Sequence, residues 1–155
     1  MSAYSPGAPA PILLAFSGGL DTSFCVPLLT ETYGRPVVTV TVNTGGIDDA
    51  AAAALAAQAL ALGAVAHHLV DARREYFERV LKWLLVGNVR RGQLYPLCVG
   101  AERTVQAQVV AAKAIELGSA TIAHGCTAAG NDQVRFEVAL RTLAPDIEIL
   151  APVRD

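Results

Sequence analysis

The sequence predicts an α/β domain: a doubly wound parallel sheet of about five strands with helices on both faces. Three observations carry that expectation. Short apolar runs alternate with longer helix-forming segments from end to end, the order that parallel strands joined by crossovers require. The first apolar run ends in a glycine pair that leads directly into a helix, the usual ligand-facing turn of such sheets. Finally, 155 residues that are 53% apolar and 17% charged can bury one core, and neither a fixed repeat nor an interior linker divides them.

Pro11 to Phe16 is a short apolar run before Gly18 and Gly19 and reads as a buried strand. Asp21 to Thr30 reads as a helix entered through polar residues suited to its first turn. Val37 to Val42, rich in Val and Thr, is a strand between turn residues. Asp48 to Leu62 is a helix through its alanines, with Asp48 and Asp49 at its positive end. Ala64 to Val70 is a strand candidate and Ala72 to Val86 a helix of mixed face, with Trp83, Leu84, Leu85 and Val86 as helix core or part of a subunit contact. Gly87 to Leu94 looks like a connection. Ala101 to Leu117 is a helix ended by Gly118, Ala120 to Ala123 a strand, Gly125 to Gly130 a loop, Asp132 to Leu143 a helix and Ile147 to Leu150 a last short strand. With a strand order of 3-2-1-4-5, the loops Ser17 to Ser23 and His124 to Gln133 become neighbours at the carboxyl ends of the strands, where such sheets bind ligands.

Composition excludes several function classes. Twelve Lys plus Arg against 14 Asp plus Glu give a formal charge of -2, which offers neither a basic footprint for nucleic acid nor a polybasic membrane anchor. The Ala-rich stretch Asp48 to Val70 is broken by Gln58, Gly63, His67 and His68, short of the uninterrupted apolar run that a spanning helix needs. Residues 1–10 lack a basic n-region and read as a flexible tail, leaving 11–155 as the folded domain. Cys25, Cys98 and Cys126 have no CxxC spacing, so neither a disulfide framework nor a zinc site is suggested, and a reducing, cytoplasmic location fits. His67 and His68 lack a carboxylate or thiol at ligand spacing and read as surface or strand-edge residues.

Two loops carry chemistry. In the first, Ala15-Phe16-Ser17-Gly18-Gly19-Leu20-Asp21-Thr22-Ser23, the glycines open backbone angles closed to other residues and clear side chains from the path of a phosphate. Ser17, Thr22 and Ser23 add hydroxyls, and backbone N–H groups at a helix start favour an anion. A bare Gly-Gly is often an ordinary turn; hydroxyls on both sides and Asp21 between them weigh against that. No Lys follows, so this is not a Walker-type loop. The run S-G-G-L-D-T-S resembles the pyrophosphate loop of the ATP-pyrophosphatase superfamily, whose members split ATP to AMP and pyrophosphate.

The second loop runs from Ala123 and His124 through Gly125, Cys126, Thr127, Ala128, Ala129 and Gly130 to Asn131, Asp132, Gln133, Val134, Arg135, Phe136 and Glu137. Asn131 offers donor and acceptor, Asp132 an anion, and Arg135 a fork suited to a carboxylate. Asp132 and Arg135, three apart, share a helix face; N-capping by Asn131 with an ion pair behind it is the plainer alternative, and capping and ligand binding are compatible.

The pattern H-G-x-T-x-x-G-N-D-Q-x-R-F-E is similar to the substrate loop of the argininosuccinate synthase family. With A-F-S-G-G-L-D-T-S, Tyr95-Pro96-Leu97 and the closing L-A-P-x-I-x-I-L-A-P-x-R, the resemblance covers Ile12 to Asp155. It implies the nucleotide-binding domain of that family, of the HUP or adenine nucleotide alpha hydrolase-like kind. It also implies a ligase of arginine biosynthesis that joins citrulline to aspartate with ATP and Mg2+ through a citrulline adenylate. By that resemblance Ala15, Phe16, Ser17, Gly18, Gly19, Leu20, Asp21, Thr22, Ser23, Val42 and Gly125 bind ATP. Thr127, Asn131 and Asp132 take aspartate, and Tyr95, Asn131, Arg135 and the Gly100 position take citrulline. No side chain is assigned as general base or nucleophile. The family usually has Ser where Gly100 stands and Gly where Ala128 stands; Arg103, three residues beyond Gly100, can partly compensate. The resemblance further implies that a C-terminal synthetase and multimerisation domain is absent here and that the full-length family forms homotetramers. Two alternatives stay open: a non-catalytic ATP-binding module, compatible with Gly100 and Ala128, and another ATP-pyrophosphatase that adenylates a different acceptor, such as a tRNA base for thiolation.

Overall fold

The structure is a computed structural model that describes residues 9–92, 94–127 and 131–154, with the side chains of all of these except Arg91, Tyr95, Pro96, Asn131 and Asp132. Ala128, Ala129 and most of the expected tail, 1–8, lie outside the described residues.

Five strands form one sheet: β1 (Ile12–Ala15), β2 (Val37–Asn43), β3 (Ala66–Asp71), β6 (Thr121–His124) and β7 (Glu148–Leu150). They run in the order β3-β2-β1-β6-β7, and every neighbouring pair is parallel. Counted among themselves these strands stand in the order 3-2-1-4-5, as the sequence predicts. Register sets Ala15 beside Val40 on one side and His124 on the other, so β1 and β6 end flush.

The alternation of each strand divides the core between two faces. Ile12, Leu14, Val37 and Ala123 pack with Cys25, Val26 and Leu29 of α1 (Leu20–Tyr33) and with Ala59 of α2 (Asp49–Ala61). Leu13, Val38, Val40 and Ile122 pack with Ala107, Val110 and Ala114 of α5 (Cys98–Leu117) and with Phe136 and Leu140 of α6 (Asn131–Leu143). Ile12, Leu13 and Leu14 are fully buried, each contributing about 1.5–3 kcal/mol relative to exposure. Local signals set the helix ends: the Asp48 carboxylate accepts the Ala51 N–H at 2.8 Å, and Gly118, at φ 66°, ends α5 in the left-handed region.

Three features depart from the expected pattern. The segment 87–94, expected as a plain connection, begins a small antiparallel hairpin in which β4 (Arg90–Arg91) pairs with β5 (Tyr95–Pro96). Helix α5 starts at Cys98, three residues before the expected Ala101; Leu97 precedes it without a side-chain cap, so no capping residue marks the start in the sequence. The helical run after β3 is also not uniform: α3 (Arg73–Tyr76) widens into a π-helical turn (Phe77–Leu81) before α4 (Lys82–Val86). That turn places Val80 and Leu81 together against Tyr76. Trp83 is 62% and Val86 82% exposed, which corrects their assignment to helix core; the Lys82 ammonium lies 5.1 Å from the Trp83 ring centre. Among the described residues, no helix is long and apolar enough to cross a membrane.

Candidate functional site

A cavity of about 450 Å3 opens at the carboxyl ends of β1, β2 and β6. Its floor is Ala15, Phe16 and the end of β2 from Val40 to Val42; Ser17 and Thr22 form one wall and His124, Gly125 and Cys126 another. Six of the residues assigned to ATP by resemblance, Ala15, Phe16, Ser17, Thr22, Val42 and Gly125, thus line one space.

The first loop is wired internally. The Ser17 N–H donates to Thr22 Oγ1 at 3.3 Å, the two hydroxyls stand 3.2 Å apart, and Thr22 Oγ1 donates to the Gly19 carbonyl at 3.2 Å. The Gly19 N–H turns back to Ser17 Oγ at 3.3 Å. Only the first glycine is conformationally demanding. Gly18 has φ +75°, and a Cβ there would lie 2.3 Å from Leu55 Cδ2, whereas Gly19 has the extended backbone φ −74°, ψ 171° open to any residue. The first helical bond runs from the Ser23 N–H to the Gly19 carbonyl, so the N–H groups just before it are the orphan donors at the start of a 14-residue helix. Leu20 and Asp21 are exposed and do not line the cavity.

The floor is held from β2. The Phe16 N–H donates to the Val40 carbonyl at 2.8 Å, and Thr41 Oγ1 donates to the Phe16 carbonyl at 2.6 Å. Beyond β2 the buried Asn43 side chain ties the turn that follows, donating to the Ile47 carbonyl at 2.8 Å and accepting the Gly45 N–H at 2.9 Å.

The second loop meets the first at Gly125. A Cβ on Gly125 would lie 2.9 Å from Thr22 Cγ2, 3.0 Å from the Thr22 nitrogen and 3.2 Å from the Asp21 carbonyl carbon. Only a residue without a side chain lets the strand end lie against the first turn of α1. His124 is buried and its Nδ1 accepts the Cys126 N–H at 3.3 Å. Thr127 is exposed, beyond the cavity lining. Asn131 and Asp132 open α6, with their side chains outside the described set, as is that of Tyr95. Arg135 lies against α5: its Cζ is 3.4 Å from where a Gly100 Cβ would stand. The structure therefore brings together Arg135 and Gly100, the two described positions assigned to citrulline, beside the cavity rather than in its lining.

Apart from Arg103, noted beside Gly100 in the sequence, the remaining site residues carry no local sequence signal. From α5, Glu102, Arg103 and Gln106 line the cavity. The Arg103 Nη1 donates to Gln106 Oε1 at 2.7 Å, Gln106 Nε2 donates to Glu102 Oε1 at 3.0 Å, and Thr44 Oγ1 donates to the same carboxylate oxygen. From α2, Gln58 donates to the Gly18 carbonyl at 3.1 Å and to Ser23 Oγ at 2.9 Å. Burial, with the Asp21 charge second, pushes the Cys25 thiol up to about 11, consistent with a packing role. His67, on the edge strand β3, shares a 2.9 Å hydrogen bond with Thr39 and meets the Phe16 ring edge-on.

Residues 11–155 match the family described as the arginosuccinate synthase N-terminal HUP domain. The chain is 43% identical over 143 residues to the argininosuccinate synthase of Pyrobaculum aerophilum, covering 92% of this chain and 36% of that protein. To the enzyme of Xanthomonas axonopodis pv. citri it is 45% identical over 145 residues, covering 93% and 34%. It spans about a third of the length of these relatives. Among solved structures it resembles one described as a "predicted subunit of tRNA methyltransferase" from Methanocaldococcus jannaschii, with TM-score 0.65, 16% identity and coverage of 94% of this chain and 69% of that one. It also resembles NMN synthetase from Francisella tularensis, with TM-score 0.58, 13% identity and coverage of 79% and 47%. At such identities these structures share the fold alone. The curated relatives and the matched domain agree with the motifs on both walls of the cavity, and the chain belongs to the argininosuccinate synthase family, within its N-terminal HUP domain.

Proposed function

We propose that this chain is the ATP-binding part of a ligase that joins citrulline to aspartate, forming argininosuccinate, AMP and pyrophosphate. The observation that carries the proposal is the seating of Gly125 on Thr22 and Asp21, which places the phosphate-type loop and the substrate-type loop around one cavity. The triphosphate lies along Ser17 to Ser23, received by the orphan N–H groups of α1 and the Ser17 and Thr22 hydroxyls. Val42 and the end of β2 face the base. Citrulline lies toward Arg135 and Gly100, where the guanidinium fork grips its carboxylate, and its ureido oxygen attacks the α-phosphate. The aspartate amine, positioned through Thr127, Asn131 and Asp132, then displaces AMP. The protein's share of the chemistry is proximity and charge stabilisation at phosphorus. Mg2+, arriving with the nucleotide, would supply charge neutralisation at the phosphates that the Ser17 to Ser23 loop receives. In the longer relatives further chain would complete the citrulline pocket and the homotetramer. Titration with ATP, followed by incubation with ATP, Mg2+, citrulline and aspartate, tests the proposal. Nucleotide binding by the chain with argininosuccinate formed only by the full-length protein is the expected result. Failure to bind ATP sinks it, and turnover by the 155-residue chain at about 1 per second or faster sinks the claim that further chain is required.

A further inference from the structure

Glu137 has no assigned role, yet it stands at a junction of three elements. Its carboxylate accepts from Gln133 Nε2 at 3.2 Å, one turn earlier in α6, and from Arg154 Nη1 in the turn after β7. Arg141 Nη2 stands 3.8 Å away, one turn later. Oε1, the oxygen that takes the Gln133 and Arg154 bonds, stands 3.3 Å from His124 Nε2 at the end of β6. The His124 side chain is 2% exposed and that of Glu137 13%, and the Phe136 ring closes on the imidazole edge-on at 5.7 Å.

The tautomer follows from these partners. Nδ1 accepts the Cys126 N–H, so it carries no proton, and the neutral ring keeps its proton on Nε2, which meets Glu137 as a 3.3 Å electrostatic contact rather than an aligned hydrogen bond. The Cys126 N–H lies one residue beyond Gly125, whose backbone lies against Thr22 and Asp21 with no room for a Cβ. We infer that Glu137 and His124 are positioning residues. Glu137 fixes the His124 tautomer and ring, His124 fixes the Cys126 N–H, and the turn so formed sets how closely Gly125 approaches the phosphate loop. The relay acts on the nucleoside triphosphate through the backbone, touching none of its reacting atoms. It rests on the proposed nucleotide site, but its first readout needs no nucleotide.

Nitrogen NMR of the His124 ring in the chain should report a neutral imidazole protonated at Nε2, with the Cys126 amide slow to exchange. His124→Asn places an amide oxygen where Nδ1 stands; it should keep the Cys126 amide protected and ATP affinity within about threefold of the parent. His124→Gln, whose head group reaches the Nε2 position instead, should lose the protection and about tenfold in ATP affinity. Glu137→Gln can present an NH2 group to Nε2 and should move the ring toward the other tautomer, with a loss of similar size. Since His124→Gln could also disturb packing, the Glu137→Gln tautomer shift, read at an unchanged fold by circular dichroism, decides independently. An Nδ1-protonated ring in the parent, or His124→Gln and Glu137→Gln chains that bind ATP like the parent, would overturn the relay. A parent that binds no ATP overturns the nucleotide proposal instead, and the tautomer and the Cys126 amide then decide the relay alone.

Discussion

The two loops that close the site are held by opposite means. The phosphate-type loop secures itself, since the hydrogen bonds of Ser17, Gly19 and Thr22 to one another span at most five residues. The substrate-type loop is held from far along the chain, by Glu137 and Arg154 behind His124 and by the surface of α1 beneath Gly125. A self-wired loop tolerates change elsewhere but not within itself. A loop held at a distance fails when any of its remote supports is removed.

The sharpest way to break that contrast is Gly18→Val, which puts a β-branched residue at φ +75° with its Cβ 2.3 Å from Leu55 Cδ2. Strain and overpacking together should cost about 2–4 kcal/mol of stability and remove ATP binding, measured by urea unfolding and by titration. A variant that titrates normally would show that the loop is not the cradle. Next is Gly125→Ala, whose Cβ would meet Thr22 Cγ2 at 2.9 Å and the Thr22 nitrogen at 3.0 Å. About 1–3 kcal/mol of destabilisation is expected. Adding Thr22→Ser, which removes the methyl but not the nitrogen, should restore only part of it; full recovery would mean that the backbone approach is not the constraint.

A third prediction concerns acid. Burial acts to raise the Glu137 carboxyl, but hydrogen bonds from Gln133 and Arg154 and the Arg154 charge outweigh it and hold it below its ordinary 4.5. A depressed acid stabilises the fold above its unfolded value and loses that contribution as pH falls through the folded one. Stability should therefore decline as the pH drops below 4.5, and Glu137→Gln should flatten that decline. Asp71 is pulled down to about 2 by its hydrogen bonds from Arg73, but this pair is exposed, so Asp71→Asn should alter the slope less. Urea unfolding across that acid range separates the two, and equal flattening would deny Glu137 its role as a junction. The smallest effect belongs to Gly19→Ala, where the backbone is extended and the new methyl would sit 3.4 Å from Ser17 Oγ. A change within about 0.5 kcal/mol is expected, and a cost matching that of Gly18 would show the two glycines to be equivalent after all.

The same division explains what could be read from the sequence. The five main strands and the flanking helices were legible because apolar runs, Asp48 and the glycine stops act within a few residues, and the strand order follows from crossover rules. The Ser17–Thr22 loop was legible for the same reason. The hairpin was not, because two-residue strands show no alternation, nor was the π-helical turn. Gln58, Glu102 and Gln106 reach the site from other elements: Gln58 lies 40 residues from Gly18 and Glu102 58 from Thr44. No spacing announces such partners. Glu137 did lie within the recognised R-F-E motif, but only the fold shows that it faces His124.

Gln58 has a dynamic corollary. It projects from α2, in which Ala59 is the one buried residue, with Leu55 partly packed beside it. A helix seated so lightly opens by sub-global unfolding at a small fraction of the free energy needed to unfold the sheet. Each opening would release both the Gly18 carbonyl and the Ser23 hydroxyl from Gln58, removing the outside brace of a loop whose own bonds stay in place. The amides of α2 should therefore exchange with deuterium ahead of those of α5, and a nucleotide held in the loop should slow them without touching the helix.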